Sequence, residues 1–363
     1  MRPPLRRTRR VQVRGLGLGG DEPVRVQAMT KTDTRDTQAT LVQIRALEVA
    51  GAEIIRLAVP DQESVASLAR LRPHTDSPLV ADVHFDHRLA IAALEAGADK
   101  VRLNPGNIPD PARLRQVVEA AKGRGAPIRI GINSGSLPMR LVREHGGPTS
   151  AAMVAAAVET AALFEEWAFS DIVVSLKSSS VTDTIEANQL LAQQVDYPIH
   201  LGVTAAGPLL QSAVRSSLAL GPLLMQGIGD TIRVSVTGDP GVEVEVAWEI
   251  LQALGLRRRG ALLVSCPTCA RTRHPDLPSL VERIKARLQQ KEISSPLTVA
   301  IMGCEVNGPG EAREADVGIA LSKTGAHLFR QGRVIAHLPI EHAEDALLAE
   351  VDRLSSERAA RGD

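Results

Sequence analysis

The first two-thirds of this 363-residue chain repeats one alternation: a short β-branched run, a turn residue, then a stretch with helical spacing. Eight such runs occur: "VRVQAMT" (24–30), "EIIRLAV" (53–59), "PLVADVHF" (78–85), "KVRLNPG" (100–106), "PIRIGIN" (127–133), "DIVVSLKS" (171–178), "PIHLGVT" (198–204) and "TIRVSVT" (231–237). Each is bounded by Gly, Pro, Asp or Asn, as strands are. Between them, "TQATLVQIRALEVAG" and "HRLAIAALEAG" carry apolar residues at helical spacing and stop at Gly51 and Gly97. Parallel strands need helical crossovers of this kind. Eight strand–helix units predict an α/β chain built on a TIM (β/α)8 barrel. An open doubly wound sheet is the competing arrangement, but the count favours closure and no GxGxxG follows the first strand. "GLGLGGDE" (15–22) is glycine-rich, yet it precedes a strand and reads as a hairpin turn.

A boundary falls near "LGLRRRG" (254–260), where a helix ends and basic residues cluster. The expected division is a barrel over 1–255 and a small α/β domain over 256–363. The second domain has strands near 261–265, 297–302, 315–320 and 333–338, and helices near 277–290 and 341–355. Balanced charge, 42 basic against 42 acidic residues, leaves no global field for nucleic acid or an anionic membrane. With 2% aromatics there is almost no stacking platform for bases. The basic opening "MRPPLRRTRR" lacks a following apolar region, and no uncharged run approaches the roughly 20 residues of a membrane span. Together with reduced thiols, this predicts a cytoplasmic protein.

Six basic residues stand out inside the apolar strand runs: Arg56, Arg102, Arg129, Lys177, His200 and Arg233. An unpaired buried cation is costly, so these are not core filler. A barrel aims the carboxyl ends of its strands at one face, where active sites form. Cations converging there suit a polyanion, and Arg suits bidentate capture of phosphate. Asn133, Ser235, Asp82 and His84 sit at comparable strand ends. The alternative is that each Arg pairs with a helix carboxylate. Asp82 and His84 share a strand face by period two. That spacing fits a catalytic acid/base pair and equally a buried hydrogen-bonded pair.

All three cysteines lie near the carboxyl terminus, Cys266 and Cys269 in "SCPTCART" and Cys304 in "IMGCEVNGPGE". An odd count argues against a disulfide framework. A thiolate pair with a third from elsewhere is a soft-metal pattern. Glu311, past the Gly/Pro turn after Cys304, is the oxygen donor nearest to hand. Two metal sites fit: an iron–sulfur cluster on three Cys and Glu311, or zinc on three Cys and His274.

These motifs in this order resemble the 4-hydroxy-3-methylbut-2-enyl diphosphate synthases of the methylerythritol phosphate route to isoprenoids. The resemblance runs from about residue 8 to 338 and rests on "VQAMTKTDTRD", "VADVHFDHRLA", "VRLNPGNI", "RIGINSGSL", "HLGVT", "GIGDTIRVSVTGDP", "CPTCART" and "GCEVNGPGEA". It implies a TIM barrel followed by a small iron–sulfur domain, in a homodimer whose active site is shared between chains. It implies a 4Fe–4S cluster on Cys266, Cys269, Cys304 and Glu311. Arg56, Arg102, Arg129, Asn133, Lys177, Arg233 and Ser235 then hold a diphosphate. The implied reaction is reductive dehydration of 2-C-methyl-D-erythritol 2,4-cyclodiphosphate, with electrons from ferredoxin or flavodoxin. The chain departs from the pattern at Ala205, where the family has Glu after "HLGVT", at Ala28–Thr32, and at Ser180, where an acid is usual. Ala205 leaves an alternative: a homologue that binds cluster and diphosphate with impaired turnover.

Overall fold

The computed structural model describes residues 6–272, 276–291, 293, 296–304 and 313–361. The chain divides into two units, Met1–Arg257 and Arg258–Asp363.

The first unit opens with a hairpin, β1 (Val11–Val13) and β2 (Leu16–Leu18). Arg14 and Gly15 at its tip have φ of 48° and 76°, the paired positive values of a type I′ turn. The turn therefore sits at the leading edge of the glycine-rich stretch, and the rest of that stretch forms β2 and the bend after it. Eight parallel strands follow: β3 (Arg25–Met29), β4 (Ile54–Ala58), β5 (Leu79–Asp82), β6 (Lys100–Leu103), β7 (Ile128–Asn133), β8 (Ile172–Lys177), β9 (His200–Leu201) and β10 (Thr231–Ile232). Neighbours pair in sequence from β3 to β8, and β10 pairs with both β9 and β3. A parallel bridge from Val174 to Ile199 joins β8 to the start of β9, closing the ring. The expected barrel is thus present, with β9 and β10 far shorter than the runs 198–204 and 231–237.

Between the strands lie α1 (Thr37–Ala50), α2 (Gln62–Leu71), α3 (His87–Glu95), α4 (Pro111–Arg124), α5 (Met139–Glu144), α6 (Ser150–Glu166), α7 (Val181–Gln194), α8 (Leu209–Met225) and α9 (Pro240–Ala253). Most begin on a side-chain cap: Asp36, Asp61, Asp86, Asp110, Thr149, Ser180 and Asp239 each accept from a backbone N–H of the first turn. Alternation sends Ile55, Leu57, Leu79, Ala81, Val101 and Ile130 outward into the apolar layer under the helices. At the barrel's amino-terminal end, Val11, Val13 and Leu18 of the hairpin pack on Ile54, Val80 and Val173, forming an apolar plug. Above that plug the interior is polar, unlike the branched aliphatic filling usual in this fold.

The second unit is a five-stranded sheet of β11 (Ala261–Ser265), β12 (Leu297–Met302), β13 (Val317–Leu321), β14 (Ala326–Arg330) and β15 (Arg333–Leu338), in that order. The first three are parallel and the last two add antiparallel. Helices α10 (Leu277–Gln289) and α11 (Ile340–Arg361) cover it through Leu280, Ile284, Leu347 and Val351. Among the described residues no helix is long and apolar enough to cross a membrane.

Candidate active site

Inward positions of the barrel strands carry the charges. Asp82, the last residue of β5, is buried and sits opposite Arg102 in the β5–β6 register. Its carboxylate lies 3.3 Å from the Arg102 guanidinium, 3.6 Å from His84 Nε2 and 3.9 Å from Arg56 Nε. Burial works to raise its pKa. Arg56, the bond to His84, Arg102 and Arg129 outweigh that and hold it well below the usual carboxylate range. Asp82 is therefore a fixed anion near neutral pH and a poor proton carrier. His84, the other member of the expected pair, has a side chain 40% exposed, with Nε2 2.9 Å from Arg102 Nη1.

Arg102 pairs across to Arg129 in the β6–β7 register. Arg129 is 1% exposed; among the described residues its guanidinium donates to a neutral group, the Gln27 side-chain Oε1 at 3.4 Å, and its Nε has no partner. Arg56 rests its guanidinium on Met29 Sδ, at 3.0 Å from Nε and 2.7 Å from Nη2. Burial pulls Arg56 down to about 10, against the support of Asp82. Lys177 ends β8 with Nζ 3.1 Å from His200 Nε2, and His200 Nδ1 lies 2.7 Å from Thr231 Oγ1. Burial, then Lys177, drives the His200 pKa well below its ordinary value. His200 is thus a neutral ring that accepts from Lys177 and donates to Thr231. The expectation of a cation there is corrected by its complete burial.

Arg233 bonds Glu243 Oε2 at 3.2 Å, and Glu243 also binds Lys31 Nζ and Val236 N, each at 2.9 Å. One of the six expected basic residues therefore does pair with a helix carboxylate. Asn133 and Ser235 are half-buried. Asn133 ends β7 opposite Lys177, while Ser235 lies two residues past Arg233, its carbonyl accepting from Ser212.

Four functional positions escape the sequence reading. Lys100 is fully buried and faces the interior two residues before Arg102. Strand alternation was the signal for it. Glu243 is 2% exposed on α9, and nothing in sequence marks it. Gly131 and Gly202 leave space that the cations use: a Cβ on Gly131 would sit 2.4 Å from Arg102 Nε, and one on Gly202 2.7 Å from Lys177 Nζ. Among the described residues, six interior cations (Arg56, Lys100, Arg102, Arg129, Lys177, Arg233) face two carboxylates, Asp82 and Glu243. Such a cage is suited to a polyanion.

In the second unit, Cys266 and Cys304 follow the carboxyl ends of adjacent parallel strands, β11 and β12. The Gly303 N–H donates to Cys266 Sγ at 3.1 Å, and a Cβ on Gly303 would come within 3.0 Å of that sulfur. Cys269 is exposed in a tight turn in which Thr272 N–H donates to its carbonyl at 2.8 Å. Hydrogen bonds from the Arg271 backbone and guanidinium pull its thiol below the ordinary value, toward thiolate. All three cysteines are free. Among the described residues no three His, Cys, Asp or Glu are grouped closely enough for a metal ion. Glu311 and His274 lie outside the described residues. Free thiols at neighbouring strand ends, one accepting a backbone N–H and one biased to thiolate, fit the sulfur donors of an iron–sulfur group.

A closed barrel with a cationic, glycine-relieved interior, followed by a thiol-bearing α/β unit, defines a class of enzyme acting on a phosphorylated substrate. The GcpE TIM-barrel domain matches residues 8–248, and the GcpE protein C-terminal domain matches 262–353. The chain is 53% identical over 330 residues to 4-hydroxy-3-methylbut-2-en-1-yl diphosphate synthase (flavodoxin) of Maridesulfovibrio salexigens, covering 91% of each. It is 48% identical over 350 residues to the enzyme of the same name from Caldanaerobacter subterraneus subsp. tengcongensis, covering 96% of this chain and 98% of that one. It therefore belongs to the 4-hydroxy-3-methylbut-2-en-1-yl diphosphate synthase family. Type I 3-dehydroquinate dehydratase from Clostridium difficile superposes with a TM-score of 0.51 at 15% identity, over 69% of this chain and 97% of that one; the likeness is one of barrel fold alone.

Proposed function

We propose that this chain converts 2-C-methyl-D-erythritol 2,4-cyclodiphosphate to (E)-4-hydroxy-3-methylbut-2-enyl diphosphate in isoprenoid biosynthesis. Beyond family membership, the observation that carries the reading is the excess of buried cations over carboxylates inside the barrel. The reaction takes in two electrons and one proton and releases water, so a dianion becomes a trianion. The barrel residues answer that charge: Arg56, Arg102, Arg129, Lys177 and Arg233 grip the phosphates and stabilise the oxygen freed as the ring C–O bond breaks. Asn133 and Ser235 supply neutral hydrogen bonds at the rim, Asp82 holds Arg56 and Arg102 in place, and His84 handles the proton.

The barrel unit is then the substrate domain and the second unit the cluster domain. Cys266, Cys269 and Cys304, with Glu311, hold a 4Fe–4S cluster in this reading. When bound, it supplies single electrons and an iron open to a substrate oxygen. The donor is flavodoxin, as in the names of the relatives, or ferredoxin. The protein works in the cytoplasm as a homodimer whose site is completed between chains. Nothing at Ala205 beyond its missing side-chain carboxyl favours impaired turnover; it is exposed, with φ 51°. The test is anaerobic conversion of the cyclodiphosphate with a strong one-electron reductant and reconstituted protein. Reductant-dependent appearance of the linear allylic diphosphate is expected, and cluster-loaded protein that leaves the cyclodiphosphate unchanged overturns the assignment.

A further inference from the structure

Lys100 opens β6, and alternation sets it on the same inward face as Arg102, about 7 Å deeper in the barrel. It is fully buried, and its ammonium nitrogen has no hydrogen-bond partner among the described residues. Every charge around it is a cation or already engaged. Arg129 on β7 and Arg56 on β4 bear on it directly. Lys177 on β8 and His200 on β9 bond to each other. Asp82 on β5 serves Arg56, Arg102 and His84, and Glu243 on α9 serves Arg233 and Lys31. Gln27 of β3 and Thr231 of β10 carry no charge.

Something in so positive a cage gives up a proton. Guanidinium groups keep theirs, with an intrinsic pKa above about 12. A lysine yields more readily: burial, then Arg129 and Arg56, pulls Lys100 down to about 7 and Lys177 well below its ordinary value. Lys177 has His200 Nε2 at 3.1 Å to accept its proton, whereas the Lys100 nitrogen has no acceptor among the described residues. We propose that Lys100 is a charge reserve for the phosphate site: uncharged in the free protein, and protonated once a diphosphate enters the barrel. The proposal rests on the diphosphate reading given above. Its functional value lies in timing. The site gains positive charge with its ligand, and holds the trianionic product's extra charge without facing the cost of another permanent buried cation.

The ligand makes the idea measurable. Each phosphorus of the cyclic diphosphate has one strongly acidic oxygen and lacks the second ionisation, near about pH 6, of a phosphate monoester. Any proton taken up on binding near neutral pH therefore goes to the protein. The experiment is titration calorimetry of oxidised, cluster-loaded protein with the cyclodiphosphate, without reductant, in two buffers of different ionisation heat at about pH 8. The wild type takes up close to one proton per ligand, and its affinity falls about tenfold between about pH 7 and 8.5. Lys100→Met binds several-fold more weakly at pH 7, with no uptake and a flat profile. Lys100→Arg, whose charge is fixed, binds without uptake. Uptake that persists in Lys100→Met overturns the proposal and moves the proton to Lys177. Wild-type binding without uptake overturns it as well. If the wild type does not bind the cyclodiphosphate at all, the diphosphate reading itself falls, and this proposal with it.

Discussion

Among the described residues three interior cations, Arg129, Lys100 and Lys177, have no carboxylate partner, and the first two each make a separate prediction. A charge-assisted bond to phosphate contributes roughly 1.5–3 kcal/mol. Arg129→Met should therefore weaken cyclodiphosphate binding by about tenfold or more, read by calorimetry, while iron content stays constant. Unchanged affinity would place the phosphates elsewhere. Lys100 acts on stability. Its folded pKa near 7 lies below the ordinary 10.5, so the unfolded chain binds more protons between those values. Stability from this group is fully present above about 10.5 and is lost as pH falls through about 7. Without ligand, the wild type should gain stability from pH 7 to 9.5. Lys100→Met should be more stable than wild type at pH 7 by roughly 1–4 kcal/mol, the range for replacing buried charge with apolar groups. Urea denaturation at the two pH values checks both signs, and a variant less stable at pH 7 would mean that the ammonium is well solvated.

Elements set how much of this was legible beforehand. The eight barrel runs and the stops at Gly51 and Gly97 follow from periodicity and caps, and the structure places strands in all eight. The runs 198–204 and 231–237 overstate β9 and β10 because their later residues leave the ladder. Gly202 and Arg233 there serve the interior, and β-propensity does not register that duty. Strand Ala326–Arg330 was missed because polar His327 and Arg330 interrupt its pattern, although Gln331 and Gly332, with φ of 49° and 74°, form the tight turn that a Gln-Gly pair permits. Basic residues within strands disclosed most of the cage. Glu243 stayed hidden because a carboxylate on a helix reads as surface until the helix is docked. The glycines of β7 and the β9 extension were equally silent, since a missing side chain signals only through what occupies its space. That occupancy can be tested at Gly131. A methyl there meets the flexible end of Arg102 and not backbone, so the strand should survive. Gly131→Ala should leave the chain folded, at a cost of about 1–3 kcal/mol for overpacking, and weaken diphosphate binding several-fold by displacing the guanidinium. Loss of folding along with binding would show that the barrel wall had moved.

At the scale of the molecule, chemistry is divided between the two units. The interior cations belong to Met1–Arg257, while every cysteine belongs to Arg258–Asp363. The junction is short and its near side is fixed. Arg257 donates to Val24 O at 2.9 Å, pairs with Glu53 at 2.5 Å and lies 4.6 Å from the centre of the Trp248 ring. In the homodimer proposed above, the thiols' partner barrel lies on another copy of the chain. Complementation decides the matter. A Cys304→Ser subunit retains its cations and an Arg129→Met subunit retains its thiols. Each homodimer should be nearly inactive. Co-expressed with different tags and purified as the mixed dimer, the pair should recover up to about half of wild-type turnover, because one of its two shared sites is built from intact halves. Sites completed within one chain would leave the mixed dimer as inactive as its parents, since each chain would then carry one broken half. Iron should be near half the wild-type content in the mixed dimer on either account, so cluster loading serves as the control and turnover alone separates them.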